Sequence, residues 1–296
     1  METLRQYTSQ FAVDFLRLCV WLILLLAIFV PLEKLAALHP RRVFRKAFST
    51  DLAYYFLTSL LPKMALVLPL SLAASASHAL APGGLYRVTA ALPFGVRLFA
   101  GLLVGEVGYY WGHRLSHAIP LLWRFHAIHH SAEEIDWLVN TRAHPVDFLF
   151  TRLCGLVPMY VLGLAQPMGT SLDLVPVLVT LLGTLWGFFI HANVRWRFGW
   201  LEWLVALPAF HHWHHANYGT DHSRNYASMF PFLDGCFGTL YLPAKSWPEK
   251  YGIDSPLAPG LVGQLLESPS LTRNRQGGGA PEAGTIRPFR SMAKHR

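Results

Sequence analysis

The chain contains few charged residues, few cysteines and none of the motifs that bind common soluble cofactors. Only 14% of its 296 residues are charged and 53% are hydrophobic, whereas soluble domains carry roughly 25% charged residues. The three cysteines form neither a C-x-x-C motif nor a disulfide framework. No Gly-Lys-Ser/Thr follows the turn at residues 81–84, and no flavin or NAD fingerprint occurs. Composition therefore favours a membrane protein and gives no support to a nucleotide-binding one.

Apolar segments and basic loops alternate along the chain. The net charge of +8 fits basic loops at a membrane face, and no basic module with interleaved aromatic residues points to nucleic acid. Basic residues concentrate at 41–46, 114–142 and 195–197. If these loops are cytoplasmic, the predicted spans alternate correctly. We therefore expect an all-α integral membrane protein with about four to five transmembrane helices and a helical cap at the cytoplasmic face. The predicted spans are residues 18–34, 64–86, 92–112, 148–166 and 174–190.

Histidines are abundant and clustered, and twelve of the fifteen lie between His113 and His222. On an α-helix, residues three or four apart share a face, so each cluster aims two or three imidazoles at one point. Protonated imidazoles so close would repel, and we expect them to be neutral and bound to metal. Since a zinc site closes at four ligands, eight imidazoles indicate two metals, whose identity the ligand type leaves open. The clusters are His113 and His117; His126, His129 and His130; and His211, His214 and His215.

These motifs and their flanking text resemble the fatty acid hydroxylase/sterol desaturase superfamily of membrane di-iron oxygenases. The similarity covers roughly residues 95–243 and includes "HHSAEEIDWLVNTRAHPVD", "FIHANVRWRFGWLEW" and "NYASMFPFLDGCFGTLY". It implies two iron ions, O2 as co-substrate, and a separate electron donor of the cytochrome b5, ferredoxin or reductase type. The family usually has Gly and Trp where this chain has Ala227 and Leu233, and these departures leave subfamily and substrate open.

Further residues are candidates for the same site. His144 in "HPVD" and His191 in "HANVR" are metal ligands according to the resemblance, with an ordinary turn histidine and an interfacial histidine as the alternatives. Glu106 shares a helix face with the first histidine cluster. An intramembrane carboxylate is costly, so we expect Glu106 to serve catalysis by hydrogen-bonding a ligating histidine; a buried Ser, Tyr or Arg is the alternative partner. His212 points away from its neighbours, and the role of His222 stays open.

The predicted organisation has three parts: N-terminal transmembrane helices (1–90), a fatty acid hydroxylase-like catalytic domain (91–243) and a C-terminal extension (244–296), disordered from about residue 268. The resemblance implies hydroxylation of an unactivated C–H bond in a fatty acyl, sterol or related lipid. The membrane is the bacterial inner membrane or the endoplasmic reticulum, with the site facing the cytoplasm. Desaturation by the same site is the alternative. Two alternatives come from other functional classes. A histidine-rich metal transporter is expected to place its histidines along a path through the bilayer, and a non-catalytic lipid-binding relative is expected to have lost metal ligands.

Overall fold

The computed structural model describes residues 2–61, 65–80, 83–165, 173–217, 223–244, 246–255 and 257–266. Through these ranges the chain folds into helices, with isolated β-bridges that join Ala37 to Val194 and Ala216 to Tyr251. This confirms the predicted all-α class; the predicted disorder from about residue 268 falls outside the described residues. The α-helices are α1 (Glu2–Ala36), α2 (Phe48–Leu60), α3 (Val67–Leu80), α4 (Gly83–Ala90), α5 (Phe94–Ala118), α6 (Pro120–His130), α7 (Pro145–Val161), α8 (Leu174–His191), α9 (Pro208–His214), α10 (Phe232–Cys236) and α11 (Gly260–Leu266), and short 3₁₀ helices cover Trp137–Thr141 and Gly199–Trp203.

Among the described residues, two stretches of helix are long and apolar enough to cross a membrane: Gln10–Ala36 of α1 and Leu174–His191, which is α8. Many apolar side chains of α1 face outward; for example, Leu16 is 64% exposed and Ile23 is 63% exposed. Apolar surface of this extent is unfavourable in water and favourable in hydrocarbon. The protein is therefore an integral membrane protein.

The number of candidate spans is smaller than the predicted four to five. In the described ranges, a third span exists only if α4 and α5 act together, and these helices meet at a bend of 116°. Pro93 lies at that bend, where its ring disfavours helical geometry at the preceding residue. The span predicted at 64–86 is divided between α3 and α4. The span predicted at 148–166 is α7, which has 17 residues and is shorter than the ~20 residues of a typical crossing.

Glycines set the distance between α5 and α7. A Cβ on Gly108 would overlap the carbonyl oxygen of Cys154, and a Cβ on Gly112 would lie 2.7 Å from the Cβ of Cys154. A Cβ on Gly155 would lie 3.2 Å from the carbonyl oxygen of Gly105. Small residues allow helix backbones to approach this closely. The glycines thereby fix α7 beside the helix that carries the first histidine cluster.

A buried ion network joins α2 to the segment that follows α6. The Arg45 guanidinium donates to both carboxylate oxygens of Asp136, at 2.6 and 2.7 Å, and pairs with Asp51. Arg142 also donates to Asp51, and the side chains of both are nearly fully buried. Buried charges of this kind are stable only when every partner is present. The network thus fixes the backbone at Arg142, which lies next to the histidines.

Candidate metal centre

The ends of α5, α6, α8 and α9 bring nine of the ten predicted ligand histidines together. Their ring nitrogens form two groups, and within each group the ligand atoms lie within 4.8 Å of one another. Most of these rings are buried. The first group is His113, His117, His126, His130 and His214, and the second group is His129, His191, His211 and His215.

Each H-x-x-H-H motif contributes to both groups. Residues four apart project from one helix face, so His126 and His130 join the first group and His211 and His215 join the second group. The remaining histidine of each motif joins the opposite group, so that His129 lies in the second group and His214 in the first group. The groups are adjacent, since the ring centroids of His130 and His215 are 4.6 Å apart and those of His126 and His129 are 5.5 Å apart.

Hydrogen bonds at the outer ring nitrogen fix the tautomer of five of these histidines. In each ring, Nδ1 contacts an oxygen that accepts a hydrogen bond and has no proton to donate. Nδ1 therefore carries the ring proton, and the lone pair of Nε2 is left for a metal. The acceptors are the Tyr226 carbonyl for His113 (2.7 Å), the Asp147 carboxylate for His126 (3.0 Å), the Arg142 carbonyl for His129 (3.0 Å), the Gly187 carbonyl for His191 (2.7 Å) and the Arg224 carbonyl for His214 (2.8 Å).

These Nε2 lone pairs face each other at short range, which indicates a cation between them. The Nε2 atoms of His113 and His126 are 3.1 Å apart, and those of His129 and His191 are 3.3 Å apart. With metal–nitrogen bonds of 2.0–2.1 Å, two ligand nitrogens at right angles would lie about 2.9 Å apart. Among the described residues, nothing hydrogen-bonds to the buried Nε2 of His214. The donor set therefore fits metal ions.

Burial keeps the rings in the form that binds metal. Burial, together with the neighbouring His126, lowers the pKa of His129 to about 4. Burial likewise lowers the pKa of His214 and of His215 well below the ordinary value, and the next contributions come from His113 and His129, respectively. These imidazoles are neutral at pH 7, as a metal ligand must be.

Glu106 hydrogen-bonds a loop and not a histidine, which corrects the expected contact with a ligand. Its carboxylate accepts from the backbone N–H groups of Ser228 (2.6 Å) and Met229 (2.7 Å) and from the Ser228 hydroxyl (2.7 Å). The partner is thus a serine, one of the alternatives considered. Because Tyr226 supplies the carbonyl beside His113, Glu106 positions the segment that orients this ring.

His144 joins neither group. Its Nδ1 accepts a hydrogen bond from the backbone N–H of Val146 at 3.1 Å, so the ring caps the N-terminus of α7, and it packs against Phe125 with a centroid distance of 4.7 Å. His212 also lies outside the groups, as its position in the motif predicts: it hydrogen-bonds the Tyr251 hydroxyl and the Ala192 carbonyl. His222 lies outside the described residues.

Asp147 is a site residue that the sequence analysis does not single out. It accepts hydrogen bonds from His126 and, at 3.3 Å, from the Ser116 hydroxyl. Burial alone would raise the pKa of Asp147, but the contact with His126 holds it below the usual value. The available signal is its place in "HPVD", in the first turn of α7. This position also suits an ordinary helix start, where acidic residues are common.

A cavity of about 160 Å³ opens between α5, α7 and α8 and reaches the histidines. Its wall is largely apolar, with Leu102, Leu156 and Met159 among the residues that line it. His129, His191 and His211 of the second group lie at its end, together with His126 of the first group. An apolar chain inside this cavity would therefore lie against the metal ligands.

Fold and site together define an all-helical membrane protein with two adjacent histidine centres. Residues 98–239 match the model of the fatty acid hydroxylase family. This match confirms the resemblance drawn from the histidine motifs.

Curated relatives cover the same part of the chain. An ornithine lipid hydroxylase, OlsE, from Rhizobium tropici is 33% identical over 176 residues, which are 59% of this chain and 51% of the relative. An alkylglycerol monooxygenase from Xenopus tropicalis is 30% identical over 51% of this chain and 32% of the relative. Methylsterol monooxygenase 2-2 from Arabidopsis thaliana is 32% identical over 46% of this chain and 49% of the relative. The matched region thus spans about half or less of each relative. No solved structure matches the chain significantly.

Proposed function

We propose that this chain is an oxidoreductase that uses O2 to hydroxylate an unactivated C–H bond of a membrane lipid, with two iron ions held by nine histidines. The observation that carries the proposal is the pair of adjacent groups whose Nε2 lone pairs converge at the end of an apolar cavity. Relatives named as lipid hydroxylases and monooxygenases support this chemistry.

The first group would hold one iron ion and the second group the other. When bound, iron supplies the capacity to activate O2 for attack on a C–H bond. The protein has three tasks. Backbone carbonyls and Asp147 hold the imidazoles in one tautomer. The walls of α5, α7 and α8 bind the apolar chain of the substrate and exclude water. Glu106 holds the loop at residues 228–229 against the cavity.

The partners and the location follow as parts of the same proposal. The substrate enters from the bilayer, because the cavity lies between helices at least one of which is a candidate span. Electrons come from a separate donor of the cytochrome b5, ferredoxin or reductase type. The site faces the cytoplasm, either at the bacterial inner membrane or at the endoplasmic reticulum. Two adjacent groups suit a catalytic centre better than a transport path, which would distribute its histidines across the bilayer.

Elemental analysis of the full chain, purified in an uncharged detergent, tests the metal centre. We expect about two iron ions per chain, one for each histidine group. The variants His214→Ala and His211→Ala should each lose iron, because each removes a ligand from one group. His212→Gln is the matched control, since His212 lies between them on α9 and hydrogen-bonds elsewhere; it should retain the iron. A single zinc ion, or no stoichiometric metal, would refute the proposal.

Product analysis tests the reaction. Membrane lipids incubated with the iron-loaded protein, O2 and a reductant should gain one oxygen atom and form an alcohol. Loss of two hydrogen atoms without gain of oxygen would identify a desaturase at the same site. Absence of both products under O2, with iron present and a donor from each class supplied, would overturn the assignment as an oxygenase.

A further inference from the structure

The cavity contains a cation that no carboxylate of the described chain neutralises. Arg152 lies on α7 and lines the cavity. Its Nη2 donates to the Thr184 hydroxyl at 3.1 Å, and its guanidinium carbon lies 5.1 Å from the ring centroid of Phe148. Within the described ranges, no carboxylate forms an ion pair with Arg152. Its remaining N–H groups have no hydrogen-bond acceptor among the described residues, which leaves them for a ligand.

The carboxylates that line the same cavity are already engaged. Glu106 accepts hydrogen bonds from the amides of Ser228 and Met229. Asp147 accepts from His126 and from Ser116. Both carboxylates serve the histidine centres, and neither is the counter-ion of Arg152.

Two further polar groups lie in the cavity without a hydrogen-bond partner in the part of the chain that the structure describes: the Tyr109 hydroxyl and the Asn140 amide. Tyr109 lies close to α7, because a Cβ on Gly155 would be 3.8 Å from the Cβ of Tyr109. Arg152 and Gly155 are three residues apart and share a helix face. A phenol, an amide and a guanidinium thus line one largely apolar space, as specificity groups in ligand sites do.

An arginine held in apolar surroundings without an ionic partner is costly, and it usually marks a functional site. The guanidinium fork matches the geometry of carboxylate and phosphate oxygens, and such charge-assisted pairs are strong when water is excluded. We propose that Arg152, assisted by Tyr109 and Asn140, binds an acidic oxygen group of the substrate lipid inside this cavity. The substrate class is then an apolar chain that bears a carboxylate or a phosphate. This inference rests on the proposed function, because it takes the cavity to be the substrate site.

Ligand-induced thermal stabilisation of the detergent-purified chain tests the proposal. The probes share one hydrocarbon chain: oleate carries a carboxylate, oleoyl lysophosphatidate carries a phosphate, and oleyl alcohol is uncharged. A ligand that binds only the folded state raises the unfolding midpoint in proportion to its affinity. We expect at least one acidic probe to stabilise the wild-type protein more than the alcohol does. The Arg152→Gln variant should bind that probe about 10- to 100-fold more weakly, as loss of a charged hydrogen bond predicts.

Two variants separate binding from structure and from bulk charge. Arg17→Gln removes the same charge from an exposed position on α1 and should behave as the wild type. Arg152→Lys keeps a positive charge and should retain part of the preference for the acidic probe, even if Arg152→Gln folds poorly. Without ligand, Arg152→Gln should unfold at or above the wild-type midpoint, because it removes a charge that has no ionic partner among the described residues.

Preference for oleate alone identifies a carboxylate, preference for lysophosphatidate alone identifies a phosphate, and preference for both identifies the shared chemistry. Equal stabilisation of the wild type and Arg152→Gln by the acidic probes would overturn the proposal, as would a wild type that neither acidic probe stabilises more than the alcohol does. Iron content measured on the same samples separates the two hypotheses. If the wild type contains iron but binds the acidic probes no better than Arg152→Gln does, this inference alone is refuted. If the wild type contains no iron, the proposed function is refuted.

Discussion

Replacing Asp147 with Asn tests whether the carboxylate beside His126 orients a metal ligand. The substitution conserves volume but removes the charge, and the amide offers His126 Nδ1 either an oxygen or an NH₂ group at the observed 3.0 Å contact. Loss of such an outer partner typically lowers metal affinity about 10- to 100-fold, which corresponds to about 1.4–2.7 kcal/mol. Since His126 belongs to the first group, we expect the first group to bind its metal more weakly and the second group to bind its metal as in the wild type.

A chelator titration of the iron-loaded protein measures this difference. Iron per chain, followed by elemental analysis, should fall in two separated steps in Asp147→Asn, with the first step at about 10- to 100-fold lower chelator than in the wild type. Asp254→Asn is the control, because the Asp254 carboxylate is exposed and pairs with Lys250 at the surface; its titration should match that of the wild type. A wild-type titration curve for Asp147→Asn would refute the orienting role of Asp147.

Three further predictions concern the scaffold, and each is measured as a change in unfolding stability of the detergent-purified chain. Gly108→Ala should destabilise the protein by about 1–3 kcal/mol or more, because the added Cβ would overlap the backbone of α7. Gly183→Ala is the control and should be neutral or slightly stabilising, because a Cβ there meets nothing within 4 Å. Equal stability changes in the two variants would contradict the close helix contact. Arg142→Met should cost about 3–5 kcal/mol, since it removes a partner of the buried Asp51, and a cost near zero would argue against the network. Asp234→Ala should cost about 3 kcal/mol, since its carboxylate accepts from two backbone N–H groups and a hydroxyl; an unchanged midpoint would be the contrary result.

Periodicity predicted the part of the site that depends on helix geometry. Spacing by three and four residues is enough to place His126, His129 and His130 together, because a helix fixes where each side chain points. Periodicity did not show that His129 joins another group than its neighbours, since this depends on how α6, α8 and α9 pack. His191 stands alone in its segment, and only the resemblance identified it. His144 lies in a motif typical of the site, yet its ring caps α7.

Span prediction was less successful, for a related reason. Hydropathy identified α1 and α8, whose apolar runs are uninterrupted. It could not show that Pro93 lies at a bend of 116° between α4 and α5, or that α7 is only 17 residues long. Glu106 was singled out as an unusual carboxylate in an apolar segment, and its side chain is buried. Two of its partners are the backbone N–H groups of Ser228 and Met229. Because almost every residue carries such a group, the sequence could not identify these partners.

Most acceptors that fix the ligand tautomers are backbone carbonyls, at Tyr226, Arg142, Gly187 and Arg224. A side-chain substitution at these positions leaves the carbonyl in place, so the centre tolerates change there as long as the local backbone path is kept. Asp147 is the exception, because its role depends on its side chain. Transplanting only the histidines and Asp147 onto another helical bundle would therefore leave out four of the five groups that orient the rings. A designed copy of this centre has to reproduce the loops as shapes, with considerable freedom in the residues that form them.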